Sequence, residues 1–273
     1  MTTITDRSQA TPTAAAATGI RVTQRRVFAA EAIKFRSLRS TGWLLVASVL
    51  SIVAAGLFPA LGVLLGGLDP AGGEGSRTDP TGGALTGVSF TQLLIAALGV
   101  LVVTSEYTTG LIRASFAAVP RRLPVLWAKA AIAAAVAFVA TLAAALTAFL
   151  AVKVVLAAAD VTISLTTPGV ARAVVGASLL LAVTAVLGVA FGALLRSAVG
   201  AVAALFGLLF VTPLLGMLSP QISPYLPGNA GAAVVQTGAT AGSLPPWAGL
   251  GVFSLYAVAA LTAAAVALTR RDA

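Results

Sequence analysis

The chain contains no cysteine and no histidine among its 273 residues. Thiolate and imidazole are the principal protein ligands of zinc, and they also supply or activate most nucleophiles in covalent catalysis. Their absence excludes a cysteine nucleophile and a Ser-His-Asp triad. We therefore predict no catalytic residue, no metal site and no cofactor for this chain.

Charged residues are also scarce, at 9% of the chain against about 25% in soluble domains, while 59% of the residues are hydrophobic. A helix needs about 20 apolar residues to cross a bilayer, and a spanning segment in lipid must be helical. Six uncharged runs approach or reach that length. They are Leu44–Gly66, Val88–Ser105, Ala130–Val152, Ala173–Leu195, Ser197–Ser219 and Ala248–Leu268. The sequence predicts an all-α integral membrane protein with six transmembrane helices.

The few charges are unevenly distributed between the two ends of the predicted spans. Fourteen of the 17 Lys and Arg residues fall in the N-terminal arm, the second and fourth connections and the C-terminus. Because basic residues are retained in cytoplasmic loops, this bias predicts a plasma-membrane protein with both termini in the cytoplasm. It also accounts for the net charge of +9 without a nucleic-acid partner.

The N-terminal arm divides into two parts. Residues 1–19 are rich in Thr and Ala and predict a disordered cytoplasmic tail. Residues 20–40 alternate apolar and basic side chains at helical period, which indicates an amphipathic helix on the membrane surface. Glu31 interrupts its apolar face and needs a partner, either Lys34 one turn on or an arginine of another segment. Residues 41–273 form the transmembrane domain.

The segment from Thr104 to Lys129 lies between the second and third spans and is dense in charge. Large apolar residues recur at helical period from Tyr107 to Val119, and Pro120 ends the pattern. We expect a short helix along the membrane, with Arg113 and the pair Arg121-Arg122 available to another protein. An ordinary basic cytoplasmic loop is the alternative interpretation.

The spans and the last external loop carry further patterns. Gly188 and Gly192, four residues apart, predict a face that packs closely against another helix. The turn around Arg196 is short and predicts a tight helical hairpin. The loop Pro220–Trp247 contains no charge, and Ala230–Gln236 within it is expected to form a short re-entrant helix shielded by protein.

Four motifs together resemble the membrane subunits of the second type of ABC exporter, in particular the large actinobacterial permease group. They are Glu31-x-x-Lys34 leading into Thr41-Gly-Trp43, Glu106-Tyr-x-x-Gly110-x-Ile112-Arg113 with Pro120-x-Arg122 and Lys129, Tyr225-Leu-Pro-x-x-Ala230-Gly231 with Pro246-Trp247, and the terminal Arg270-Arg-Asp-Ala273. Leu111 departs from the second motif, where many relatives have threonine.

The resemblance implies that two such subunits pair, as a homodimer or heterodimer, and that each contacts a separate ATPase subunit. It makes the N-terminal helix a connecting helix, with Glu31, Lys34 and Phe35. It implies a coupling helix that docks on the ATPase through Glu106, Tyr107, Gly110, Arg113, Phe116, Pro120, Arg121 and Arg122. Glu106 is expected to pair with Arg113 or an N-terminal arginine. The second and fifth spans would line a translocation path that includes Gln92, Thr104, Phe206, Phe210 and Thr212.

The sequence is consistent with an energy source for transport that lies outside this chain. The chain has no Gly-Lys dipeptide, hence no P-loop, and its uncharged runs contain no carboxylate for a proton or sodium relay. We therefore expect a permease subunit that exports an apolar or amphipathic compound, with ATP hydrolysis in a partner subunit. A non-transporting membrane scaffold or assembly subunit is the alternative. An intramembrane enzyme has little support, because the spans offer only scattered Ser and Thr.

Overall fold

The computed structural model describes residues 23–66, 87–112, 123–237 and 242–270. Besides a short 3-10 turn at Ser223–Tyr225, these residues form eight helices, six of which are long and apolar enough to cross a membrane. In chain order they are α1 Gln24–Ser37, α2 Arg39–Leu64, α3 Gly87–Thr108, α4 Leu123–Ala157, α5 Val170–Leu195, α6 Ala198–Leu215, α7 Pro227–Ala233 and α8 Pro246–Arg270. The protein is thus an all-α, multi-pass membrane protein, as its apolar runs predict.

Helix α5 is the centre of the bundle, and it packs against α3, α4, α6 and α8. Of its apolar window 72% is buried, and α3 follows with 67%, whereas only 17% of α6 is buried. Small residues make the central contact possible. A methyl group added at Gly99 of α3 or at Gly188 of α5 would overlap the backbone of the facing helix. Gly192 also faces the α3 backbone, at Val100, so the predicted close-packing face is confirmed.

The bundle has two distinct ends, which we name by their composition. The charged end carries α1, the last turn of α3, the first turns of α4 and the connection between α5 and α6. The loop end carries the connection 158–169 and the short helix α7. At the charged end, α5 stops at Arg196, whose φ is 53°, and α6 begins at Ala198 after the cap residue Ser197. The tight hairpin predicted at Arg196 is therefore confirmed.

Helix α1 confirms the amphipathic pattern over the part of the N-terminal arm that the structure describes. Val27 and Phe35 are buried, whereas Arg25 and Arg36 are exposed. The predicted tail, residues 1–19, and the start of the predicted amphipathic segment lie outside the described residues.

Several predicted boundaries are wrong. The predicted amphipathic segment 20–40 is divided, because α1 ends at Ser37 and α2 begins at Arg39, five residues before the predicted first span. Helix α3 continues through Tyr107 to Thr108, so Tyr107 does not begin a separate surface helix. Helix α4 begins at Leu123, seven residues before the predicted third span, and contains Lys129. In both cases the helix includes a charged residue, Glu106 in α3 and Lys129 in α4, and these two residues form a buried ion pair. Helix α7 begins at Pro227, three residues before the predicted re-entrant helix, since proline is well suited to the first turn.

Candidate functional site

Four ionisable side chains from three helices meet at the charged end. Glu31 and Lys34 come from α1, Glu106 from the last turn of α3 and Lys129 from the second turn of α4. We call these four residues the ion cluster. Glu31, Glu106 and Lys129 are each about 5% exposed, while the side chain of Lys34 is 35% exposed.

The two lysines bridge the two carboxylates. Lys129 Nζ lies 2.6 Å from Glu31 Oε2 and 2.8 Å from Glu106 Oε1. Lys34 Nζ lies 2.7 Å from Glu31 Oε1 and 3.1 Å from the same oxygen of Glu106. Lys129 also donates to the backbone carbonyl of Val102, at 3.3 Å. Two positive and two negative groups balance, so the cluster buries no net charge.

An apolar wall surrounds the ion cluster. Phe35, Leu38, Val102 and Ile132 enclose it, and the remaining space has a volume of only about 10 Å³. Charged groups without water are costly unless each has a partner, so the geometry of this cluster is demanding. One acceptor, Glu106 Oε2, is buried without a hydrogen-bond partner in the part of the chain that the structure describes.

The pKa of Lys34 is raised above its ordinary value of 10.5. Burial acts in the opposite direction and lowers it, but the hydrogen bond to Glu31 and the charges of Glu106 and Glu31 outweigh burial. Lys34 therefore stays protonated throughout the neutral range, and it holds the outer side of the cluster closed.

The structure shows which partners the two carboxylates have among the described residues. Glu31 pairs with Lys34, the local candidate, and with Lys129 of α4. Glu106 pairs with the same two lysines, which the expectation of an arginine partner did not include, and Arg113 itself lies outside the described residues. In the sequence, Lys129 looks like a cation of the cytoplasmic loop. Leu126 and Ala133, three residues before and four residues after Lys129, fall on its helical face, and that apolar face is the signal that could have placed it inside.

The rest of the predicted docking segment is only partly described. Tyr107 lies in the last turn of α3, where the guanidinium of Arg196 is 5.4 Å from its ring centre, a cation–π distance. Gly110 follows with a φ of 73°, a left-handed conformation that ends the helix and favours glycine. Leu111 is 55% exposed, while Ile112 turns back into the core. The other predicted docking residues, Arg113, Phe116, Pro120, Arg121 and Arg122, lie outside the described residues.

A second region of interest is a cavity of about 450 Å³ near the loop end. It lies between α3, α5, α6 and α7, and two residues of the predicted translocation path, Gln92 and Phe210, line it. Phe206 stacks on Phe210 with ring centres 5.4 Å apart. Thr212 donates to the Leu208 carbonyl, and Thr104 is buried and donates to the Val100 carbonyl of its own helix. Neither threonine lines the cavity.

Comparisons with protein-family profiles, with curated proteins and with solved structures found no match for this chain. The class that fold and site define is therefore a six-span helical membrane protein with a buried ion cluster at one end and an uncharged cavity near the other.

Proposed function

We propose that this chain is the permease subunit of an ATP-binding cassette exporter, and that a separate ATPase subunit docks at the charged end from the cytoplasm. The ion cluster is the observation that carries the proposal. It fixes a surface helix to the two spans that flank the predicted docking segment. A partner that binds this segment would therefore also move α1, α3 and α4.

The chemistry of the ion cluster is suited to coupling the movements of α1, α3 and α4. A buried ion pair tolerates little displacement, because separating its members leaves charge uncompensated in an apolar surrounding. Helices joined in this way tend to move as a unit between discrete arrangements instead of deforming gradually. Lys129 contacts α1 and α3 from α4, so removing this single side chain would loosen the three-helix contact.

The energy for transport would come from outside the chain. In the described spans, the Asp, Glu, Lys and Arg residues occur toward the helix ends, as at Arg39, Glu106 and Lys153, and the middles carry none. A proton- or sodium-driven transporter normally keeps a carboxylate inside the membrane, so this distribution favours a separate motor. The sequence has no Gly-Lys dipeptide for a P-loop, so the proposal assigns ATP hydrolysis to that partner.

A second permease subunit would complete the transporter. Helix α6 is the least buried span and exposes several large apolar side chains. We place the second subunit against α6, so that the translocation path lies between the two copies beside α3 and α6. An apolar or amphipathic cargo fits these uncharged walls.

Purification of the tagged full-length chain from its native membranes tests the proposal. An ATPase should co-purify, and ATP hydrolysis by the complex should fall when Arg113, Arg121 and Arg122 are replaced together by alanine. Lys153→Ala removes an exposed lysine of α4 far from the charged end and serves as the control. Co-purification and hydrolysis that are unchanged by the triple variant, or no ATPase at all, would favour a membrane scaffold.

A further inference from the structure

The cavity near the loop end has walls from four helices of the same subunit. Val88, Ser89 and Gln92 of α3 and Leu180 of α5 form one side, while Leu209, Phe210 and Pro213 of α6 form another. Helix α7 and the residues after it form a third wall with Gly228, Asn229, Ala232, Val235 and Gln236, and the cavity is open to the surface. At about 450 Å³ the cavity falls within the range of roughly 300–1,000 Å³ that small-molecule sites occupy.

Helix α7 is held firmly by its other face, so the cavity is preformed. Ala230 and Gly231 pack against α8 and α5, where an added methyl group at Gly249 would overlap the Ala230 carbonyl. Asn229 Nδ2 donates to the Ser223 carbonyl at 2.9 Å, before the helix begins. Arg172 Nη2 donates to the Gln236 carbonyl at 2.9 Å, after it ends. The helix is therefore tied at both of its ends.

The α6 wall departs from regular helical geometry where it meets the cavity. Residues Gly207–Val211 form a π-helical turn, a feature that often occurs at functional sites. Pro213 cannot donate a backbone hydrogen bond, and the hydroxyl of Thr212 donates to the Leu208 carbonyl at 2.5 Å. Gly228 of α7 lies directly against the Leu209 carbonyl, where a side chain would not fit.

Among the residues that the structure describes, the lining combines apolar surface with hydrogen-bonding groups and contains no ionisable residue. Gln92 is 8% exposed, and its Nε2 donates to Thr184 Oγ1 at 3.3 Å. The amide nitrogen of Asn229 is likewise engaged, with the Ser223 carbonyl and hydroxyl. Because these two amide nitrogens already donate within the protein, the side-chain oxygens of Gln92 and Asn229 can accept hydrogen bonds from a ligand. A charged ligand would lose its hydration here without gaining a counter-charge.

From these observations we infer that the cavity is a binding site, contained within one subunit, for an uncharged amphiphile. The ligand has an apolar body that packs on Phe210 and Leu180 and a hydroxyl or amide head that donates to the Gln92 or Asn229 side chain. This inference does not depend on the exporter proposal, because it requires neither an ATPase nor a second subunit.

Photolabelling of the purified full-length chain in detergent tests the site. The probe is a monoacylglycerol with a diazirine in its acyl chain, and the matched probe is the corresponding fatty acid, which carries a carboxylate. We expect the neutral probe to label peptides of the cavity wall at least about tenfold more than the charged probe, equivalent to about 1.4 kcal/mol of binding free energy.

Two variants fill the cavity from opposite walls. Ala232→Trp projects from α7 and Ser89→Trp from α3, and both positions are exposed. Each should abolish labelling of the cavity wall without lowering the midpoint of thermal unfolding. Ala259→Trp, the same substitution at an exposed position of α8 outside the cavity lining, is the control and should label as the unmodified chain does.

Equal labelling by the two probes, or labelling that persists in both filled variants, would overturn the inference. The source of the ligand is determined in a separate measurement, by identifying the lipids that co-purify with the chain. A neutral lipid that is present in the unmodified protein and lost in Ala232→Trp identifies a membrane lipid. With labelling as expected and no such lipid, the ligand is a neutral compound supplied from solution.

Discussion

The two ends of the helix bundle differ in the charge of their side chains and in the space between them, although both are built from apolar helices. At the charged end, two lysines contact two carboxylates at distances of 2.6–3.1 Å and leave a space of about 10 Å³. Near the loop end, none of the described residues that line a cavity of about 450 Å³ is ionisable. One region is filled and electrostatically closed, whereas the other is spacious and uncharged.

This difference suggests a division of tasks. Buried ion pairs resist separation, because parting their members leaves charge uncompensated, so the charged end is suited to transmit a movement. The cavity has fixed walls and no charge, and it is suited to hold a neutral molecule. Small residues of α3 and α5 connect the two regions, because they bring the helix backbones into direct contact at Gly99 and Gly188.

The largest expected effect on stability comes from removing Lys129, the cation at the centre of the ion cluster. Lys129→Met removes one partner from both buried carboxylates and should destabilise the protein by about 3–5 kcal/mol. Lys153→Met is the matched control, since Lys153 is an exposed lysine on the same helix. Unfolding of the purified protein by denaturant in mixed micelles measures the difference. Equal stability of the two variants would contradict the role of the ion cluster.

The contact between the two regions is tested at the central helix pair. Gly188→Ala places a methyl group against the backbone of α3, which cannot move aside as a flexible side chain would. We expect a loss of about 1–3 kcal/mol from overpacking. Gly251→Ala on α8 meets no atom within 4 Å and should be neutral or slightly stabilising. Thermal unfolding of the two variants side by side makes the measurement.

A double-mutant cycle measures the interaction free energy between Glu31 and Lys129 in the ion cluster. Glu31→Gln and Lys129→Gln together should cost less than the sum of the single variants, by about 1–3 kcal/mol, because the two groups are in direct contact. Glu31→Gln combined with Lys153→Gln should be additive. Additivity in the first cycle would mean that the contact between Glu31 and Lys129 does not contribute to stability.

The smallest expected effect concerns pH. Since the pKa of Lys34 is raised in the folded protein, its contribution to stability is fully present below the ordinary value of 10.5 and is lost at higher pH. The stability difference between the unmodified chain and Lys34→Met should therefore be constant across the neutral range and should shrink above about pH 10.5. A difference that instead declines between neutral pH and that value would contradict the assignment.

The six spans could be predicted from the sequence, because runs of uncharged residues directly report the helices that lipid requires. The glycines of α5 likewise indicated a close contact. The ion cluster was harder to predict. Lys129 looks like a boundary residue when each charge is taken as a mark of the membrane surface, and only the fold brings α1, α3 and α4 together. Glu31 was recognisable, since a carboxylate on an apolar helical face needs a partner.

The cavity could be predicted only in fragments. Gln92 and Phe210 belong to the predicted translocation path, but their common wall depends on where α7 inserts. The predicted short helix Ala230–Gln236 exists with both ends displaced by three residues, from Pro227 to Ala233, since Pro227 occupies the first turn. The volume that it encloses follows from backbone contacts at Gly228 and Gly249, which have no signature in the sequence.

Crosslinking from a single cysteine tests most directly whether a motor docks at the charged end. The chain has no cysteine of its own, so Leu111→Cys, beside the docking segment, and Leu255→Cys, on the exposed face of α8, each carry one unique thiol. After treatment of native membranes with a maleimide–diazirine reagent, the thiol at position 111 should capture a P-loop ATPase, and the thiol at position 255 should not. Failure to capture an ATPase from position 111, or equal capture from both positions, would contradict the account.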